Sequence, residues 1–184
     1  MLEAWYPIPL YYHDNIENPE EILQEIKSVE SQIDKLYTPN VWSDNVAATF
    51  GTVKNIIINL DLINLNAFLH NHVIRYMGEL SLKPSRFFMH DSWFNKMDKF
   101  GYQDKHIHYH STISGCYYYE DSGYIEEGIE FSTVDDFGIT KYIKHPFKTN
   151  RLILFPGLLE HSVKFKKTDG VRKSISFNFT LDYS

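Results

Sequence analysis

From about residue 85 onward the chain is written in short β-rich runs, and this constrains its fold more than any other feature. RFFMHDSWF, HIHYH, CYYYE, GIEFSTV, ITKYI, RLILF, HSVKF and RKSISFNFTL follow one another at regular spacing, separated by Gly, Asp, Asn and Pro clusters such as EDSGYIEEG and FKTNR. An aromatic content of 16 %, with 13 Tyr and 13 Phe, suits strands that face a large packed core. The first half reads differently. WYPIPLYY, residues 5–12, is expected to be an extended edge segment, because its two prolines remove ladder donors. Asn18 is placed to cap a helix that starts at Pro19. Ile22, Leu23, Ile26, Val29, Ile33 and Leu36 then recur at helical spacing, which predicts one amphipathic helix over 19–36. Residues 39–55 read as a mixed loop with Pro39, Trp42 and Gly51. A second helix is expected over 64–82, with Leu65, Phe68, Leu69, Val73 and Met77 on its apolar face. Helices followed by about eight strands predict an α+β domain in which helices back one face of an antiparallel sandwich. A length of 184 residues suits one domain over 1–184, with helical support over about 14–84 and a β core over about 85–182.

The last strand carries a two-faced pattern. Arg172, Ser174, Ser176 and Asn178 fall on one side; Ile175, Phe177 and Phe179 fall on the other. If the apolar side packs under the helices, the polar side lines an interior. Arg172 then points into a cavity and requires an anionic partner, which a dicarboxylate ligand would supply through a paired, charge-assisted contact. A solvent-facing strand edge is the plainer alternative.

Nine histidines are distributed unevenly. His106, His108 and His110 stand two apart in HIHYH, so a regular strand directs His106 and His108 to one face. His161 follows Pro156-Gly157 in LILFPGLLEHSVKF, and Arg172 comes eleven residues later. Neutral imidazole is the commonest metal-binding side chain, so the pattern suggests a mononuclear metal site with a fixed cation nearby. His70 and His72 lie two apart on the second helix, point in different directions and are read as solvated or capping residues. His13, His90 and His145 have no motif around them and are read as ordinary polar residues.

The remaining composition narrows the function classes. A net charge of −6 without a long Lys or Arg run gives no nucleic-acid footprint. The single cysteine, Cys116, forbids an internal disulfide, fits a reducing compartment and reads as a small apolar strand residue. No apolar run approaches a membrane span and no basic-then-apolar leader opens the chain, so a soluble cytoplasmic protein is expected. The acidic stretch over 120–136, with Glu120, Asp121, Glu126, Glu127, Asp135 and Asp136, is read as a solvated connection, with a substrate-facing lid as the alternative.

Trp93-Phe94-Asn95, Gly101, His106-Ile107-His108, Ser114-Gly115-Cys116-Tyr117-Tyr118, Phe155-Pro156, His161-Ser162-Val163 and Arg172-Lys173-Ser174 occur in that order over residues 85–180. Together these segments resemble the 2-oxoglutarate/iron(II)-dependent oxygenases, whose cupin-like jelly roll, a double-stranded β-helix, binds iron through His-x-Asp/Glu and a distant His. Within that superfamily the likeness is to a bacterial and phage branch related to prolyl hydroxylases. The resemblance implies Fe(II), 2-oxoglutarate and O2 as cofactor and cosubstrates, and hydroxylation of an unidentified substrate. It implies His106 as the first iron ligand, His161 as the last, and His108 at the position the superfamily gives to a carboxylate, either as a third ligand or hydrogen-bonded to a bound water. It makes Arg172, helped by Ser174, the clamp for the far carboxylate of 2-oxoglutarate. Asn95 and one of Tyr117, Tyr118 and Tyr119 are within the set that could reach the same carboxylate; parity does not choose among the tyrosines, core packing is their alternative, and Tyr118 is the candidate carried forward. His110 lies past the ligand pair and is not expected to bind metal. Three imidazoles are also a zinc set, which keeps a zinc hydrolase or hydratase open. A non-catalytic jelly roll binding a sugar or peptide in its mouth is the third reading. The substrate, a small molecule or a protein side chain, and the oligomeric state are not legible.

Overall fold

The computed structural model of the protein describes residues 8–14, 19–120, 127–135 and 137–184. In chain order the elements are β1 (Tyr11–Asp14), α1 (Pro19–Ser28), α2 (Glu30–Leu36), β2 (Val46–Ala48), α3 (Ile56–Asn59), α4 (Ile63–Glu79), β3 (Arg86–Met97), β4 (Gln103–His106), β5 (Ile113–Glu120), β6 (Gly128–Val134), β7 (Thr140–Pro146), β8 (Arg151–Pro156), β9 (Glu160–Val163) and β10 (Arg172–Asp182). The strands form a six-stranded sheet ordered β1-β8-β5-β10-β3-β2 and a four-stranded sheet ordered β4-β9-β6-β7, with every strand pair antiparallel. This is the antiparallel sandwich backed by helices that the strand spacing implied, and the jelly roll that the resemblance implied.

Two cores follow from the two faces of the larger sheet. On the outer face, Phe94, Tyr117, Ile175, Phe177 and Phe179 pack against Leu65, Leu69, Val73 and Tyr76 of α4 and Ile22 and Ile26 of α1. Burying a side chain of this size contributes roughly 1.5–3 kcal/mol, so this layer holds the helices to the sheet. On the inner face, Cys116, Tyr118, Ile153 and Phe155 meet Ile129, Phe131 and Val163 of the smaller sheet. β5 is buried on both faces, and Gly115 is its narrowest point: a Cβ there would run into the Phe177 ring and the Leu154 side chain. Glu25 of α1 accepts bonds from the Asn64 and Leu65 N–H groups at 2.9 Å, satisfying donors that the first turn of α4 leaves open.

A β-bulge sets the direction of β3. Asn178 of β10 opposes Asp91, but Phe179 opposes Met89, so His90 is the extra residue. Beyond it, Asp91, Trp93, Asn95 and Met97 share the inner face with Asn178, Ser176, Ser174 and Arg172, their direct partners on β10. The two-faced reading of the last strand holds throughout.

Several expectations need correction. The helix over 19–36 is two helices, because Val29 (φ −111°, ψ 7°) leaves the helical basin. The Ser28 hydroxyl bonds back to the Glu25 carbonyl at 2.7 Å, competing with the helical ladder at that point. The 39–55 loop contains β2, which extends the larger sheet. The second helix ends at Glu79, two residues before Ser81 takes a left-handed φ of 57°. His72 is not solvated but buried, its Nδ1 2.6 Å from the Tyr11 hydroxyl, because β1 crosses α4 there. His70 is half-buried, with Nδ1 2.9 Å from the Asn66 carbonyl and its ring against Phe179. The edge position of β1 agrees with its proline-rich approach, while residues 5–7 and the Asn18 cap lie outside the described residues, as do Asp121, Glu126 and Asp136.

Candidate active site

Between the two sheets lies a cavity of about 420 Å³, within the range of small-molecule sites. His106, His108 and His161 line one part of it and Arg172 another, with Ser174, Asn95 and Tyr118 also on its wall. One ligand atom from each of the three histidines falls within 4.8 Å of the others. The convergence arises differently from a simple strand alternation. β4 ends at His106, which pairs directly with His161 of β9, so those two rings meet at 4.2 Å across the ladder. His108 sits beyond the strand in the turn that leads to β5, fixed by a bond from its N–H to the Gly157 carbonyl at 2.8 Å. A Cβ at Gly157 would collide with the Ser111 backbone, so this turn closes only over glycine. Only His106 of HIHYH lies in a strand and the rest is loop and turn, a correction with a physical cause: the chain must leave the sheet to bring His108 around to His161. His110 is exposed and stands outside the imidazole cluster.

The rings are prepared as ligands. His106 Nδ1 lies 2.7 Å from the Asp104 carbonyl and His161 Nδ1 lies 2.8 Å from the Leu159 carbonyl. A carbonyl only accepts, so both Nδ1 atoms carry the proton and both Nε2 atoms carry the lone pair. His108 Nε2 and His161 Nε2 approach to 3.3 Å, an arrangement suited to sharing a cation. Burial, followed by the neighbouring His106, pushes the His161 pKa down to about 3 and that of His108 to about 4, which keeps both neutral at physiological pH. Trp42 lies nearly parallel to His106 (9°) and Trp93 to His108 (16°), walling the rings in. Three converging imidazole nitrogens fit a divalent transition metal such as iron(II) or zinc.

Arg172 is 3 % exposed, and its guanidinium carbon lies 3.6 Å from the centroid of the Phe147 ring. Its Nη2 meets the Glu127 carboxylate, and Nη1 lies 3.5 Å from Met97 Sδ. Glu127 thus departs from the expected solvated connection: it is 8 % exposed and one end of a buried ion pair. The other carboxylate oxygen accepts from the Lys167 N–H (2.7 Å), the Thr168 N–H (3.1 Å) and the Thr168 hydroxyl (3.2 Å). Burial alone would raise the Glu127 pKa, but these N–H groups and the Arg172 charge outweigh it and hold the carboxyl below its usual range. Nothing in the run EDSGYIEEG separates Glu127 from the other acids of that run; the β9–β10 loop that folds over it supplies the burial.

Asn95 is held from two sides, accepting from Trp42 Nε1 at 3.2 Å and donating to Ser176 Oγ at 3.0 Å. Parity now separates the tyrosines: Tyr118 faces the cavity, whereas Tyr117 and Tyr119 pack on the helical side. His90, expected to be an ordinary polar residue, lines the cavity at the bulge, with Nδ1 2.9 Å from Thr180 Oγ1 and Nε2 3.5 Å from Asp91. His13 packs at a tilt against His72 at 4.3 Å, and His145 packs near Tyr12, both away from the cavity. Cys116 is buried in the inner core, where burial raises its thiol pKa.

The family model described as "Putative 2OG-Fe(II) oxygenase" matches residues 91–178, which run from the β3 bulge to the polar half of β10. Over that stretch, just under half of its 184 residues, the chain is similar to the 2OG-Fe(II) oxygenases. That family comprises oxidoreductases that depend on iron(II) and 2-oxoglutarate. No curated protein sequence matches the chain. Among solved structures it is similar to SnoN, an alpha-ketoglutarate-dependent epimerase of nogalamycin biosynthesis, with a TM-score of 0.72 at 11 % identity over 94 % of this chain and 78 % of that one. A prolyl-4-hydroxylase from Pseudomonas putida gives a TM-score of 0.63 at 11 % identity, covering 95 % and 93 %. A prolyl hydroxylase from Trichoplax adhaerens, solved with a hypoxia inducible factor peptide fragment, gives 0.64 at 14 % identity, covering 94 % and 83 %. At such identities these structures establish the shared fold. No helix among the described residues is long and apolar enough to cross a membrane.

Proposed function

We propose that the protein is a 2-oxoglutarate-dependent dioxygenase that hydroxylates an unactivated C–H bond and releases succinate. The observation that supports this reading best is the pairing of three converging imidazoles, two of them held by backbone carbonyls, with a buried arginine on the wall of the same cavity. In the proposal His106, His108 and His161 hold iron(II). The chemistry that bound iron(II) supplies is the coupling of oxidative decarboxylation, in which 2-oxoglutarate and O2 yield succinate and CO2, to insertion of the second oxygen atom into a C–H bond. Three protein ligands leave the remaining positions for the keto-acid end of the cosubstrate and for dioxygen.

The chain's own residues bind, orient and exclude water. Arg172 takes the far carboxylate of 2-oxoglutarate through charge-assisted bonds, each contributing roughly 1.5–3 kcal/mol. Ser174, two residues along the same strand face, adds a hydroxyl, and Asn95 and Tyr118 border the same space. The Asp104 and Leu159 carbonyls keep the His106 and His161 lone pairs turned inward. Trp42 and Trp93 shield the imidazoles from bulk water, which protects a reactive centre from side reactions. The substrate is a small molecule or a protein side chain that enters beside these tryptophans.

Succinate formation in the presence of iron(II), 2-oxoglutarate and O2 tests the reading, with anaerobic calorimetry of 2-oxoglutarate as a second measurement. Absence of cosubstrate turnover together with absence of metal-dependent 2-oxoglutarate binding would refute it. A zinc enzyme without 2-oxoglutarate would bind metal and show no such affinity.

A further inference from the structure

The clamp arginine is already engaged from behind. Arg172 and Phe147 line the cavity, whereas Glu127 stands outside its lining, against Arg172 Nη2. Glu127 acts twice: its carboxylate meets the guanidinium, and its backbone carbonyl accepts the Phe147 N–H at 3.0 Å, which sets the ring that stacks on Arg172. The carboxylate cannot swing away freely, because Lys167 and Thr168 hold its other oxygen. The pair also joins the two sheets, since Glu127 immediately precedes β6 and Arg172 opens β10.

We infer that Glu127 is a positioning and charge-tempering residue: it fixes the Arg172 fork while weakening the grip of that arginine on dicarboxylates, so that succinate can leave. The inference rests on the proposed role of Arg172 as the cosubstrate clamp. Three physical effects carry it. A carboxylate held behind the guanidinium repels an incoming dianion through a low-dielectric wall. A buried arginine with a counter-charge gains less from a ligand carboxylate than one whose charge is uncompensated. The Phe147 stack and the Met97 contact keep the guanidinium in place when the Glu127 charge is removed, so the loss of charge outweighs the loss of a hydrogen bond. Glu127 is ionised at neutral pH, which makes the tempering present under working conditions.

The test is calorimetric titration of succinate into protein loaded with manganese(II) under argon, where no turnover occurs. Glu127→Gln is expected to bind succinate about tenfold more tightly than wild type, and Glu127→Asp, which keeps the charge, to stay within about twofold. In steady-state assays Glu127→Gln should show stronger product inhibition by succinate, a readout that a merely structural role would not move in this direction. If the Gln variant does not fold, Glu127→Ala serves in its place, and added acetate should reverse its tightening by refilling the vacated carboxylate position. Unchanged or weaker succinate binding in the folded charge-removed variant overturns the inference and leaves the proposed function standing. Failure of wild type to bind either succinate or 2-oxoglutarate with metal present overturns the proposed function as well.

Discussion

Replacing Arg172 by Met separates its place in a buried ion pair from its proposed role as cosubstrate clamp. The side chain is 3 % exposed and paired with Glu127, so its removal strands a carboxylate in the interior. Breaking a buried pair from one side costs about 3–5 kcal/mol. For a chain of this length that corresponds to a melting temperature lower by roughly 6–20 °C. Adding Glu127→Gln to the same chain removes the stranded charge, and a neutral pair of similar volume should bring stability back to within about 1 kcal/mol of wild type. Cosubstrate binding should not recover. Two charge-assisted bonds at the lower end of their range amount to about 3 kcal/mol, or roughly a hundredfold in the 2-oxoglutarate KM, for the single and the double variant alike. The assays are thermal unfolding followed by near-ultraviolet circular dichroism, and succinate release across a range of 2-oxoglutarate concentrations. A double variant that regains stability and also regains wild-type KM would show that Arg172 does not touch the cosubstrate, and the clamp assignment would fall.

Other outcomes follow from the same coordinates. His161→Ala is expected to lose stoichiometric metal in mass-spectrometric metal analysis, whereas His110→Ala should retain it; equal retention by both would refute the assignment of the imidazole cluster as the metal centre. His72 is buried against Tyr11, and burial, then the neighbouring His13 charge, depress its pKa from 6.5 to about 4. The unfolded chain takes up that proton first as pH falls, so the contribution is intact above about pH 6.5 and is lost progressively toward pH 4. Urea unfolding should therefore show His72→Phe losing about 1–2 kcal/mol less than wild type between pH 7 and 4.5, a discounted value for a group near the edge of the core. A pH-independent difference between the two chains would contradict it. Gly115→Ala should destabilise by about 1–3 kcal/mol through overpacking against Phe177, with a matching fall in the urea midpoint; a neutral result would mean that β5 and β10 are less closely apposed than described.

The legible parts of the molecule are those dictated by local periodicity. β10 announces both of its faces because Ile175, Phe177 and Phe179 alternate with polar residues over an unbroken strand, and α4 announces its buried stripe. His161 and Arg172 are likewise legible, each sitting on a regular strand. The illegible parts depend on neighbours distant in the chain. His108 reaches its place through a turn closed over Gly157, not through strand parity. His72 reads as a solvated helical residue until β1 is laid across it. Glu127 is one acid among several in its segment, and only the Lys167 and Thr168 amides from the other side of the fold distinguish it. Trp42 sits in a loop without pattern, and its place beside His106 arises because β2 pairs with β3 immediately after that loop.

His106 and His161 belong to the smaller sheet and Arg172 to the larger one, and no ladder of hydrogen bonds joins the sheets among the described residues. The separation between the nitrogen donors and the guanidinium is thus a gap whose width is governed by side chains such as Phe131 and Phe155, which fill the space between the layers. Trimming either ring, both of which pack against His161, would alter the reach demanded of a molecule spanning both ends. Residues of the filling therefore act as shims, and under the proposed function length selectivity among keto-diacids would be a property of the interlayer packing as much as of the polar groups proposed to hold the two termini.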